Sequence, residues 1–585
     1  MKPNYDKFPK VRLEDGVIRS GWENCMQQIL ADPKVQGKTK RVIVIDCYSG
    51  CLADDILRGV SILNPTITRT EPDWLKSEEE IIKLTYPDVT DDQIFGFMTR
   101  LSIQDFISEG KVDAVCREIK AISAGTIVLF GTGASQVIPD PDLLVYVDMA
   151  RWEIQQRMKK GRVHGLGVGD SNAEFSYQYK RGYFVDWRVC DNLKISLINR
   201  IDYFLDTNTE NSPALLPRRE LLDALDKTVS RPFRVVPYFD PGPWGGQWMK
   251  KVCNLDPDMD NFAWCFDCVP EENSLMLESG NATFETPSIN LVFFESVRLL
   301  GQDILNRFGA EFPIRFDFLD TMGGGNLSFQ VHPTKDYIRK NFGMHYTQDE
   351  SYYLLDTGKD ACVYLGLKDN IDRGQMVQDL ELANLNGNTF NVEKYVNRWP
   401  AKKHDHFLIP AGTVHCSGSN SMVLEISATP FIFTFKMWDW GRMGLDGKPR
   451  PINIHHAANV INWEGNTDFV QQELIDQVEI ISRGEDWIEE KTGLHREEFI
   501  ETRRHWFTSP VLHHTGDTVN VLNLVEGHEA VITSPDGAFE PFVVHYAETF
   551  IIPAAIGDYL IGPTEKSYGS AMATIKAFVK PQAGQ

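Results

Sequence analysis

The sequence predicts a multidomain protein: an N-terminal α/β domain built on a parallel sheet, then two β jelly-roll barrels with helical insertions. Three observations lead there. Short apolar runs alternate with helical patterns over roughly residues 36–205, the signature of a parallel α/β sheet. Beyond residue 310 the pattern becomes many short strands with turn signals, which points to antiparallel barrels. Finally, "HDHFLIPAGTVH" at 404–415 lines up without gaps against "AETFIIPAAIGD" at 547–558, so one barrel type occurs twice.

In the first region, "KRVIVIDC" at 40–47, "GTIVLFGTG" and "DLLVYVDM" read as strands. "CLADDILRGVSIL" and "ARWEIQQRMKKG" have helical spacing. The domain is assigned to residues 1–205. Residues 206–242, rich in Pro, Asn and Thr, read as a linker. A metal-binding barrel with helical insertions is expected over 243–480, and a second barrel lacking the ligands over 481–585. "ETPSINLVFFESVRLLGQDILNRFG" predicts one helix, with Thr286 as N-cap, Pro287 in the first turn and Gly309 at its end. "NTDFVQQELIDQVEII" predicts another.

A chain of 585 residues exceeds one core and divides into about three or four domains. Its 59 Lys and Arg against 82 Asp and Glu leave −23, a field that repels nucleic acid and anionic membranes. A small anionic substrate is compatible only where local cations oppose that field. The first residues carry no signal-peptide core, no apolar stretch spans a bilayer, and ten irregularly spaced cysteines read as reduced thiols, so a cytoplasmic setting is expected. "WCFDC" lacks the second pair a zinc knuckle needs, and Cys265 and Cys268 read as small core residues. A homo-oligomer remains open.

The chemistry starts at "SFQVHP", 328–333. In an extended chain Gln330 and His332 share a face, and two buried polar groups need a common or adjacent partner. Glu350 leads the apolar strand "ESYYLLDTG", and His415 closes "PAGTVH". Two imidazoles, a carboxylate and an amide suit Zn²⁺ or another divalent first-row ion at one site, with room for water or substrate. His404 and His406 form a tempting pair, but the second copy has Ala547 and Thr549 there, so both read as surface or rim histidines.

"FPIRFDFLDTMGGGNLSFQVHP", "DESYYLLDTG", "HDHFLIPAGTVH", "MVLEISATPFIFTFKMWDWGR" and "RPINIH" follow one another as in type I mannose-6-phosphate isomerases, members of the cupins. "PWGGQWMKK" at 243–251 resembles that family's early Trp-Gly-Gly element. The resemblance covers roughly 235–580. It implies Gln330, His332, Glu350 and His415 as metal ligands, and Arg442 of "WDWGR" in catalysis and sugar-phosphate handling. Glu425 corresponds to the acid of a Leu-Glu-Ile element, and Thr434, Phe435 and Lys436 match a Thr-Tyr-Arg element loosely. Where the family often has a lysine shortly before the ligating Glu, this chain has Gln348 and Asp349. Thr334 stands where an acidic residue is common.

The resemblance implies interconversion of mannose 6-phosphate and fructose 6-phosphate through an enediol. Glu425 is a candidate base, an acid merely paired with a nearby cation being the plain alternative. Lys335, Lys436 and Arg450 are candidates for the phosphate, each also readable as a solvated charge. A non-catalytic or regulatory sugar-phosphate-binding cupin, or an isomerase of a different sugar, is the competing reading. In the first domain "RVIVIDCYSGCLADDILRG" resembles the phosphate-cradle region of P-loop nucleoside kinases. It lacks the lysine and hydroxyl of GxxxxGK[ST], so a degenerate kinase-like domain for assembly or regulation is expected. A bifunctional kinase–isomerase is the further alternative.

Overall fold

The computed structural model describes residues 3–386, 389–428, 433–445, 447–495 and 498–581. The chain is multidomain and divides into two compact units: Lys10–Lys227 with Ser274–Phe294, and Met1–Pro9 with Thr228–Asn273 and Glu295–Gln585.

The first unit is built on a seven-stranded sheet. Its order is Arg19–Ser20, Ala214–Pro217, Tyr203–Asp206, Leu143–Asp148, Lys40–Cys47, Gly125–Gly131 and Ile67–Thr70. The last five are parallel, and the first two run antiparallel at one edge. Strand Leu143–Asp148 is buried along its whole length, which is why its sequence is a continuous apolar run instead of an alternating one. Ile43, Ile45, Val128, Val145 and Leu205 join helix Trp22–Ala31 in the core.

The boundaries differ from those expected. Residues 206–242 carry strand Ala214–Pro217, helix Arg218–Val229 and strand Tyr238–Asp240, so their Pro, Asn and Thr mark turns between elements instead of a linker. The single helix expected over 286–309 is also replaced. Ala282–Pro287 is a strand paired with Ser274–Ser279, and three short helices follow: Ile289–Phe294, Ser296–Leu300 and Gln302–Phe308. Gly301, at φ 90°, breaks the last two apart. Buried polar contacts hold this hairpin in the first unit: Asp206 accepts from the Glu285 amide, and Asn290 donates to Asp148. "NTDFVQQELIDQVEII" divides likewise into helix Thr467–Glu473 and strand Glu479–Arg483, its β-branched end pairing with Trp487–Lys491.

The second unit holds two antiparallel sandwiches. In the first, one sheet runs His406–Ile409, Glu350–Thr357, Ser421–Ser427, Arg315–Asp320, Trp264–Cys268, Tyr238–Asp240. The facing sheet runs Val396–Pro400, Cys362–Leu367, His415–Ser417, Phe329–Val331, Phe435–Trp438. In the second sandwich the larger sheet has Ile500–Phe507, Met572–Val579, Asn520–Glu526 and Thr549–Ile552 in the corresponding order, opposite Val511–His514, Asp558–Pro563, Glu529–Thr533 and Phe542–His545. The aligned repeat is visible in the backbone: His404 and Ala547 both take positive φ, 74° and 68°, immediately before equivalent strands. Among the described residues no helix is long and apolar enough to cross a membrane.

Candidate metal centre

Glu350 enters from one sheet of the first sandwich and Gln330, His332 and His415 from the other, so the facing sheets bring all four together. Gln330 and His415 are direct ladder partners. His332 Nε2 lies 3.1 Å from Glu350 Oε2, and His415 Nε2 lies 3.0 Å from Glu350 Oε1. The Gln330 amide nitrogen is 3.3 Å from His415 Nε2. The three ionisable side chains are completely buried, and among the described residues they are the one His, Cys, Asp or Glu group able to hold a metal ion.

The supporting contacts fix which nitrogen is available. His332 Nδ1 is 2.9 Å from the Phe433 carbonyl, and His415 Nδ1 is 2.9 Å from the Thr413 carbonyl. A carbonyl only accepts, so each Nδ1 donates outward and each Nε2 faces inward, the orientation metal-ligating histidines require. Gln348 donates to Glu350 Oε2 at 2.9 Å and accepts from the Phe433 amide at 3.1 Å, tying carboxylate and His332 support into one frame. His332 Nε2 and Glu350 Oε1 make no hydrogen bond despite full burial. Orphaned buried donors and acceptors are costly unless something else satisfies them. The residues present therefore fit a divalent cation with an N/O donor preference. Burial pushes the Glu350 carboxyl up, but the two imidazoles outweigh it and hold its pKa well below the carboxylate range.

Other residues singled out in the sequence fall into two groups. Glu425 is buried one row from Glu350, opposite Tyr352 on one side and Asp317 on the other. Burial, then the Glu350 and Asp317 charges, push the Glu425 acid well up. Lys436 is the direct ladder partner of Gln330, so it shares the inward face. Burial and Arg450 depress its ammonium to about 7. Arg442 and Arg450 both bond Asp439, at 2.6 and 2.9 Å, and Arg450 also reaches Ser328 Oγ at 3.0 Å. Arg442 and Arg450 thus share one carboxylate, and with Lys436 nearby they leave net positive charge beside the row of Gln330. Lys335 is not among them. It is exposed and lines a separate cleft.

His406 corrects the reading of a rim histidine. It is fully buried, makes no hydrogen bond from either ring nitrogen, and is held neutral by a pKa depressed to about 3 by burial and Arg504. His404 is half-buried between the Tyr353 hydroxyl at 2.8 Å and Glu526 at 3.0 Å. Neither belongs to the metal group. Asp317 and Tyr352 escaped the sequence reading, and Gln348 entered it only as a departure from the family pattern. In "IRFDFLD" Arg315 and Asp317 sit two apart in an apolar strand, the same signal that singled out Gln330 and His332.

In the first unit, the loop after strand Lys40–Cys47 is closed by the chain's own Arg157. Its guanidinium donates to the carbonyls of Gly50, Thr207 and Asn208 at 3.1, 2.6 and 3.1 Å.

A family described as a domain of unknown function (DUF8485) matches residues 21–230. The chain is similar to the probable mannose-6-phosphate isomerase GmuF of Bacillus subtilis, 29% identical over 153 residues, covering 26% of this chain and 45% of that protein. The mannose-6-phosphate isomerase ManA of the same organism is 27% identical over 161 residues, with 26% and 45% covered. The mannose-6-phosphate isomerase of Streptococcus mutans is 23% identical over 222 residues, with 37% and 64% covered. The chain thus spans less than half the length of the first two. Among solved structures, the mannose 6-phosphate isomerase of Bacillus subtilis superposes with a TM-score of 0.48 at 18% identity, over 59% of this chain and 99% of that one.

Proposed function

We propose that the first sandwich is the active centre of a metal-dependent aldose–ketose isomerase acting on a sugar phosphate, with mannose 6-phosphate and fructose 6-phosphate as the pair. The observation that carries this is the buried His332–Glu350–His415 group with both Nε2 atoms turned inward, beside an amide and three cations. The relatives named above, at 23–29% identity over part of their length, support the same reaction class.

Gln330, His332, Glu350 and His415 would hold the ion, Zn²⁺ or another divalent first-row metal. Such an ion supplies Lewis-acid polarisation of a carbonyl oxygen. The chain's own groups do the rest. Lys436, Arg442 and Arg450 receive the phosphate, and an incoming dianion restores the proton that burial takes from Lys436. Glu425, whose acid is pushed well up by burial and its carboxylate neighbours, would exchange a proton with C1 and C2 of the enediol. The Tyr352 hydroxyl, buried without a hydrogen bond, offers a donor to the sugar oxygens. The enclosing sheets exclude water from the exchanging proton.

The test is a coupled assay converting mannose 6-phosphate to fructose 6-phosphate with metal-loaded protein, repeated after chelation. Turnover that chelation abolishes and metal restores is expected; no turnover by loaded protein rules out this sugar.

A further inference from the structure

One inward row of the first sandwich crosses four strands of the larger sheet as Tyr352, Glu425, Asp317 and Phe266, each the ladder partner of the next. Ladder partners share a face of the sheet. The first two residues already have roles in the proposed chemistry; Asp317 has none, and it has no partner of its own. Neither of its carboxylate oxygens makes a hydrogen bond or ion pair among the described residues, and only Oδ1 is sealed from solvent.

Its neighbours offer it no donor. Glu425 is a second acid, and Phe266 has no polar side-chain atom. Arg315, two residues back in the same strand, is committed to Glu271 at 2.5 Å and to the Ala428 carbonyl. A carboxylate only accepts, so the donors for Asp317 come from solvent or from a ligand. A half-buried acid left in this state costs stability, and the sister sandwich shows that the frame does not require it. There the corresponding residue, Arg503, bonds Glu489 at 2.9 Å and Glu501 at 2.7 Å.

Phe266 adds an apolar surface beside the acid. Its half-buried ring stacks on Tyr238, its ladder partner on the far side, with centroids 5.7 Å apart and planes 9° from parallel. An acceptor next to a flat aromatic ring matches the two surfaces of a sugar, hydroxyls that donate and C–H groups that pack on ring carbon.

We propose that Asp317 is the specificity-determining residue of this site: its open oxygen accepts from a hydroxyl of an open-chain sugar phosphate whose C–H face rests on Phe266. This rests on the sugar-phosphate reading of the site and not on turnover. The substrate class is a polyhydroxylated phosphate. An apolar phosphate of the same length is rejected, because it would cover the carboxylate without giving it a donor.

The test compares two ligands by calorimetry on the zinc-loaded full chain. Glucitol 6-phosphate is an open-chain sugar phosphate that cannot isomerise; hexyl phosphate has the same carbon count and no hydroxyls. The unsubstituted chain should bind glucitol 6-phosphate at least about a hundredfold tighter. Asp317→Leu should shrink that preference at least about tenfold, with bound zinc and the unfolding midpoint not lowered. No preference in the unsubstituted chain overturns the proposal. So does a preference that Asp317→Leu keeps within threefold, whether both affinities hold or both weaken equally as a merely structural role would have it. Should Asp317→Leu lose its cooperative unfolding transition, Asp317→Asn is read in its place. It keeps one acceptor, so the preference should fall at least about threefold, and an unchanged preference overturns the proposal. If the unsubstituted chain binds neither ligand, the sugar-phosphate reading and the proposal fall together. Binding of glucitol 6-phosphate without turnover of mannose 6-phosphate removes the isomerase reading alone, and the ligand preference still decides for or against Asp317.

Discussion

The two sandwiches of the second unit share a frame and differ in what faces inward. Strands His406–Ile409 and Thr549–Ile552 occupy equivalent places, so ladder register carries residues across. Glu350 pairs with Ile409 and Asn520 with Ile552, which puts Asn520 in the place of Glu350. One row further, Tyr352–Glu425–Asp317 corresponds to Leu522–Lys576–Arg503. The gapless alignment sets Asp558 against His415, yet the Asp558 side chain is 61% exposed. The inward residue is Tyr559, stacked on its ladder partner His513 with ring centroids 5.3 Å apart. Tyr559 donates to Asn520 at 3.1 Å, so the residue in the place of Glu350 is held by a ring hydroxyl instead of facing two imidazoles. A barrel frame thus tolerates either interior. Function follows from the four or five side chains at its inward rows.

The sharpest break of this comparison gives the first sandwich the second's residue. Glu350→Asn should lower isomerase turnover more than about a hundredfold and abolish bound metal, because a ligand loss exceeds the ten- to hundredfold cost typical of a supporting contact. Metal analysis and the coupled assay check both, and full activity with one residue exchanged would end the comparison. Gln348→Ala removes only the support of Glu350 and should weaken metal affinity about ten- to a hundredfold, read by competition with a chelator of known affinity. Lys436→Met, which removes a cation from the row of Gln330, should raise KM for the sugar phosphate about tenfold with kcat changed less, and leave metal content intact.

The smallest effect on activity belongs to the second interior. Burial depresses the Lys576 ammonium to about 8. Below pH 8 the residue is charged both folded and unfolded, and the fold bears the full burial penalty. Between about 8 and the unfolded lysine value near 10.4, the unfolded chain binds more protons, so stability rises with pH. Lys576→Met should therefore stabilise the chain by about 2 to 3 kcal/mol at pH 7, with the difference vanishing above about pH 10.5. Denaturant unfolding at pH 7 and 10.5 checks it, and isomerase activity should not move.

Much of this was legible in the chain itself. Parallel strands at 40–47, 125–131 and 143–148 show as unbroken apolar runs because both faces are covered. The proposed ligands show because Gln330, His332, Glu350 and His415 are polar residues in strands that are otherwise apolar. The hairpin at 274–287 stayed hidden, since Thr286 and Pro287 fit a helix start as well as a strand end. Asp317 went unread because its partner Glu425 lies 108 positions away and only the ladder joins them. The position of Lys335 depends on which way its helix points, and local pattern carries no such information.

The central claim is that one divalent ion sits in the first sandwich and none in its sister. Anomalous diffraction at the zinc edge from zinc-loaded crystals of the full chain tests it directly. The account predicts one strong peak, enclosed by Gln330, His332, Glu350 and His415. A map empty at that point, or a peak lodged instead between His513 and Asn520, would contradict it.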